Sequence, residues 1–117
     1  MTFQRIFAAL LFAIPLTAQP QNPVQWKLTP QTDKVPPGSP ITFRLNAKVD
    51  AGWHLYSMTT PKGGAPATKI AVAENPAVTF SRFHQPKPES RMDPNFGVQT
   101  ESYEHEAEFL IEAAVAP

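Results

Sequence analysis

Proline decides most of what this chain can become. Fourteen of its 117 residues are proline, about twice the usual share of roughly 5%. Proline has no backbone N–H to donate and clashes with the preceding helical turn, so its spacing limits helix length. Between Pro20 and Pro94 the only proline-free stretch longer than ten residues is Ile41 to Thr60. That stretch opens as ITFRLNAKV, in which Ile41, Phe43, Leu45, Ala47 and Val49 alternate with Thr42, Arg44, Asn46 and Lys48. A period of two belongs to a strand with one buried face and one wet face.

Similar pieces flank it. Val24-Gln25-Trp26-Lys27-Leu28 alternates as well, and KVPPGSP between the two reads as a turn-rich connection. Ile70 to Val72 and Val78 to Phe83 are short apolar segments separated by Glu74-Asn75-Pro76. In the final segment, SYEHEAEFLIEAAVA, the Glu and Ala content favours helix. Yet Tyr103, His105, Ala107, Phe109, Ile111 and Ala113 fall on one period-two face, with Glu104, Glu106, Glu108 and Glu112 on the other. Pattern outweighs propensity where one face is buried, so the segment is predicted to be one strand. Several short strands, proline-rich turns and no convincing helix imply an all-β protein, an antiparallel β-sandwich.

The first residues belong to a different device. MTFQR is followed by the apolar run IFAALLFAIPL, Ile6 to Leu16, and then Thr17-Ala18-Gln19. A charged start, a short apolar stretch and a small residue for cleavage describe a secretory signal peptide over residues 1–18. The apolar run is well short of the roughly 20 residues a membrane-spanning helix needs. Residues 19–117 then form one domain with a modest core, periplasmic or exported after cleavage, and QPQNP at their start reads as a flexible lead-in. Ten acidic and ten basic residues balance. No block of either sign is present, which argues against nucleic acid as a partner. Cysteine is absent, so these residues by themselves offer no disulfide, no thiolate nucleophile and no zinc-thiolate site.

The densest local pattern is AGWHLYSMTTPKGGAPAT, Ala51 to Thr68. On an extended backbone Trp53 and Leu55 point one way and His54 and Tyr56 the other. If the first pair enters the core, the second is presented outward; Gly63-Gly64 then allows a turn, and Pro66 fixes the path onward. Two readings of the pattern stand side by side. Trp53 is a core plug and His54 an ordinary exposed residue, or the outward pair belongs to a site.

GWHLYS followed by PKGGAPAT, then DPNFG at Asp93 to Gly97, Tyr103 and a closing alternating strand, resembles the N-terminal domain of the thiol:disulfide interchange protein DsbD. The likeness runs from about Trp26 to Val115. It implies an immunoglobulin-like β-sandwich in the periplasm that takes reducing equivalents from a membrane-embedded reductase domain and passes them to thioredoxin-like periplasmic proteins. It further implies that Asp93, Asn95, Phe96 and Gly97 belong to a cap loop over a redox centre, with Phe96 the shielding ring, and that His54 and Tyr56 line that centre. In some relatives the shielding Phe stands where Asn95 stands here. The redox centre of the family is a cysteine pair on a hairpin after the strand that SYEHEAEFLIEAAVA resembles. The resemblance therefore leads to the expectation that the sandwich is incomplete at its C-terminal end, truncated before the redox hairpin, and redox-silent as written.

Other constellations are weaker. His54, His84 and His105 with Met58 and Met92 evoke a copper site, but His-x-His and Met-x-Met spacings are missing. Ser57 or Ser102 with a histidine and Asp93 would make a hydrolytic triad only by chance, without a nucleophile elbow. The Glu104, Glu106, Glu108 and Glu112 ladder reads as a wet strand face, where charge discourages edge pairing, and lacks the loop spacing of a calcium site. Two functions from different classes remain: a thiol:disulfide relay domain, and a cysteine-free periplasmic β-sandwich used for binding or assembly. Neither calls for a cofactor or a metal.

Overall fold

The computed structural model describes residues 22–117, Ser81 by its backbone alone. The predicted leader, residues 1–18, lies outside the described residues. Seven strands follow in order: β1 Val24–Pro30, β2 Pro40–Val49, β3 Leu55–Tyr56, β4 Val78–His84, β5 Glu89–Asp93, β6 Val98–Tyr103 and β7 Glu106–Val115. They form two antiparallel sheets, a four-stranded one in the order β1-β2-β7-β4 and a three-stranded one in the order β3-β6-β5. The expected all-β sandwich of immunoglobulin type is the observed architecture.

The alternation read in β2 is matched across the larger sheet. Leu28 pairs with Leu45 and Leu45 with Phe109; Trp26 pairs with Ala47 and Ala47 with Ala107. Further along, Phe43 and Phe83 both stand opposite Ile111, and Ile41 and Phe80 both stand opposite Ala113. Each row places apolar side chains on the same face across neighbouring strands, so a slip of one residue would turn the whole face to water. On the opposite face Arg44 and Glu108 approach to 3.6 Å, and the Asn46 amide donates to Glu106 at 2.6 Å. A bulge between Phe80 and Arg82 interrupts the outer strand β4, which hinders edge-to-edge pairing there.

Phe109 is fully buried at the centre of the core. Leu55 and Tyr103 reach it from the smaller sheet, Ala47, Val49 and Ala107 surround it, and Val24, Leu45, Met58 and Ile70 close the margins. The Tyr103 ring meets Phe109 edge-on at 5.7 Å, and Trp26 lies tilted against it at 6.2 Å. Such ring pairs add to the burial of apolar area.

Two expectations are corrected. Trp53 is not a core plug: it is 45% exposed. A turn through Gly52, at φ 84°, precedes it, with the Trp53 N–H donating to the Asp50 carbonyl at 3.0 Å. Regular strand begins only at Leu55, so the two-residue alternation does not extend back to Trp53, and the indole that meets the Phe109 ring is that of Trp26, itself as exposed as Trp53. The closing segment is not one strand either. Tyr103 ends β6 in the smaller sheet, the chain turns at Glu104 and His105, with His105 in the left-handed region at φ 66°, and β7 starts at Glu106. From Ala107 to Ala113 the predicted inward face is the buried one.

Candidate functional site

Leu55 and Tyr103 are paired neighbours that both turn into the core, so the next pair, Tyr56 and Ser102, turns to the outer face of the smaller sheet. Thr100 and its partner Arg91 on β5 share that outer face. The result is a cleft of about 270 Å³, with His54 and Tyr56 on one side, Arg91, Met92, Asp93, Pro94 and Asn95 on the other, and Thr100 and Ser102 among its lining. Thr100 and Ser102 are buried.

The far wall of the cleft ends in a hairpin loop whose geometry follows from its residues. Asp93 and Val98 form the last pair of β5 and β6. Between them Pro94 fixes its own φ, the Asp93 carboxylate accepts the Asn95 N–H at 2.8 Å, and the Gly97 N–H donates to the Asp93 carbonyl at 2.8 Å. Gly97 sits at φ 72°, a conformation that most side chains resist. Phe96, at the tip, is 49% exposed. It rests on the Gly63-Gly64 turn: a Cβ at Gly64 would stand 3.4 Å from Phe96 Cβ and Cγ and only 3.0 Å from Val98 Cγ2. The two glycine-bearing motifs, 33 residues apart from Gly64 to Gly97 in sequence, are thereby packed together.

The structure thus brings His54 and Tyr56 to the same cleft as Asp93 and Asn95. Phe96 and Gly97 lie in the adjoining loop but not among the cleft's lining residues. His54 also lines a second, smaller depression of about 170 Å³ with Asp50, Gly52, Trp53, Glu104 and His105. Its Nε2 stands 2.9 Å from Glu104 Oε1. Arg91 is paired with Glu89, and that hydrogen bond and charge raise the guanidinium further above its usual range. Around this end three large apolar side chains remain exposed: Trp53, Met92 at 55% and Phe96.

The weaker constellations come apart. The Ser57 hydroxyl donates to the Glu101 carboxylate at 2.8 Å rather than to a histidine. His84 pairs with Glu112 at 2.8 Å, while His54 is engaged with Glu104. Among the described residues no group of three or more His, Asp or Glu side chains is placed to hold a metal ion.

Sequence reasoning missed a polar cluster behind the cleft. The Glu101 carboxylate accepts the hydroxyls of both Ser57 and Thr59, the latter at 2.6 Å, and Gln85 bridges from Thr59 to the Met58 N–H. Those hydroxyl bonds, from Thr59 first and Ser57 second, hold the Glu101 carboxyl below the ordinary carboxylate range. The Tyr103 hydroxyl donates to the Pro86 carbonyl at 2.6 Å, and burial raises its pKa. The only available hint was the run Ser57-Met58-Thr59-Thr60 before Pro61, a hydroxyl-rich turn signature.

The two sheets and the cleft place the chain in the class of immunoglobulin-like β-sandwich domains, here with a polar cleft and exposed apolar side chains at one end. Within that class the comparison with known families is decisive. Residues 25–117 match the family described as thiol:disulfide interchange protein DsbD, N-terminal, and the chain belongs to this family. Neither the curated proteins nor the solved structures yielded a match. Among the described residues no helix is long and apolar enough to cross a membrane.

Proposed function

We propose that this protein is a periplasmic thiol:disulfide relay module, exported by the leader at residues 1–18, whose domain over residues 19–117 docks thioredoxin-like partners through the end that carries the cleft. A membrane-embedded reductase domain is the other partner in this reading. One observation carries it: His54 and Tyr56, the Asp93 to Asn95 stretch, and the exposed Trp53, Met92 and Phe96 converge on one end. Aromatic and Met side chains standing exposed beside a cleft are the composition of a protein-docking surface. In this reading Asp93, Asn95, Phe96 and Gly97 form the cap loop and His54 and Tyr56 line the redox position.

Thiol exchange proceeds by attack of a thiolate on a disulfide, passing two electrons through a mixed disulfide. Residues 1–117 contain no cysteine. Their share of the relay is therefore recognition and shielding, with the cysteine pair contributed from outside these residues. The absent thiol also favours a second reading, a binding or assembly module with no redox role.

Titration of the isotope-labelled chain with a reduced thioredoxin-like oxidoreductase separates the two. The relay reading expects amide shifts confined to residues 53–56 and 91–97, reduced by Phe96→Ala and by Trp53→Ala. Shifts spread over the wet face of the four-stranded sheet, or no interaction at all, would reject it. Binding at the same end to exported proteins that lack a thioredoxin fold would support the second reading instead.

A further inference from the structure

We infer that Glu101 is a positioning residue for the Asp93 to Gly97 loop, acting through Ser57, Thr59 and Thr60 on the Gly63-Gly64 turn on which Phe96 rests. The inference rests on reading residues 93–97 as the cap loop. The route begins where regular pairing stops. β3 ends at Tyr56, and beyond it the chain leaves the sheet. Glu101 nevertheless holds the next residues at four points. Its carbonyl accepts the Ser57 N–H at 2.9 Å, and its own N–H donates to Thr60 Oγ1 at 2.9 Å. Its carboxylate Oε1 accepts Ser57 Oγ at 2.8 Å and Thr59 Oγ1 at 2.6 Å.

The anchored residues have little room to relax. Ser57 is fully buried and Thr60 nearly so, and a buried hydroxyl without its acceptor is costly. The Gln85 amide adds a second strut, donating to Thr59 Oγ1 at 2.7 Å and accepting the Met58 N–H at 2.9 Å. Four residues beyond Thr60 lies Gly64, so close to Val98 and Phe96 that a methyl group would not fit without movement. A clamp at residues 57–60 and a contact without slack at Gly64 leave the intervening Pro61-Lys62-Gly63 few alternative paths, because Pro61 also fixes its φ. The loop bearing Phe96 is in this way set from behind by a carboxylate that lines neither the cleft nor the rim.

Amide hydrogen exchange on the full chain, followed residue by residue, tests this. The Gly97 N–H, which donates to the Asp93 carbonyl at 2.8 Å, reports whether the cap loop is closed. Glu101→Ala is expected to speed exchange at Met58 and at Gly97 by about tenfold or more, with the β2 and β7 amides unchanged, as local rather than global opening requires. Glu101→Gln keeps an acceptor oxygen and is expected to restore most of the protection at both. Ser57→Ala, which removes a single hydroxyl, gives the same pattern at smaller amplitude if Glu101→Ala does not fold. Acceleration at Met58 with Gly97 at its wild-type rate would overturn the inference, as would equal acceleration throughout β2 and β7. The readout needs no partner, so failure of the docking titration would leave its result standing.

Discussion

In the four-stranded sheet the residues that stand side by side are Leu28, Leu45 and Phe109, whereas in the three-stranded sheet they are Tyr56, Ser102 and Glu89. The first row is apolar, running from an exposed Leu28 at the sheet edge to a fully buried Phe109, and the second is polar across all three strands. The larger sheet therefore carries most of the burial, with Ala47 and Phe109 at full burial and Ile111 and Ala113 nearly so. Side-chain hydrogen bonds at Ser57, Thr59, Glu101 and Tyr103 shape the smaller sheet, which presents its outer face as a cleft. Separating the two tasks lets the site end keep exposed Trp53, Met92 and Phe96 without weakening the core.

Substitutions can break this contrast, and the largest effect belongs at its apolar pole. Phe109→Ala removes the ring that touches Trp26 and Tyr103 and should cost about 3–5 kcal/mol in chemical denaturation, a large part of the stability of so small a domain. Gly64→Ala comes next, since its methyl would meet Val98 at 3.0 Å. Overpacking of this kind costs about 1–3 kcal/mol, and the nuclear magnetic resonance shifts should concentrate at Phe96 and Val98. Tyr103→Phe keeps the ring against Phe109 but deletes the bond to Pro86, for an expected loss of about 1 kcal/mol. Trp53→Ala should fall within about 0.5 kcal/mol of wild type, because the indole stands on the surface. Equal losses for Phe109→Ala and Trp53→Ala would erase the distinction between the two regions.

The smallest effect sharpens the comparison on the wet side of the larger sheet. Glu112 is held below the ordinary carboxylate value of 4.5, first by its hydrogen bond to His84 and then by Arg82. A depressed folded-state pKa contributes stability that is present above the unfolded value and is lost as pH falls through the folded one. Glu112→Gln should therefore flatten the acid limb of a stability profile below about pH 4.5 and leave neutral stability little changed, as exposed pairs contribute little. An unchanged acid slope would assign that limb to other carboxylates, with Glu101 in the smaller sheet the first to examine.

Strands of the larger sheet and the family resemblance were legible in the sequence. Alternation in ITFRLNAKV and from Ala107 to Ala113 is a property of neighbouring residues, and it decides which face of each strand turns inward, while the pairing partner and the register came from the assembled sheet. The order of GWHLYS, PKGGAPAT and DPNFG was equally local information. Tertiary structure decided the rest. ESRMD has no alternation to announce that it is β5, and it becomes a strand only because β6 offers hydrogen bonds beside it. Whether Trp26 or Trp53 meets Phe109 depended on where a two-residue strand begins, and whether Tyr103 shares a strand with Phe109 depended on a left-handed His105. Glu101 shows the limit most plainly: nothing adjacent to it names Ser57 or Thr59, 44 and 42 residues away. Side-chain hydrogen bonds across a fold have no sequence period, because their partners are chosen by distance in space rather than by position along the chain.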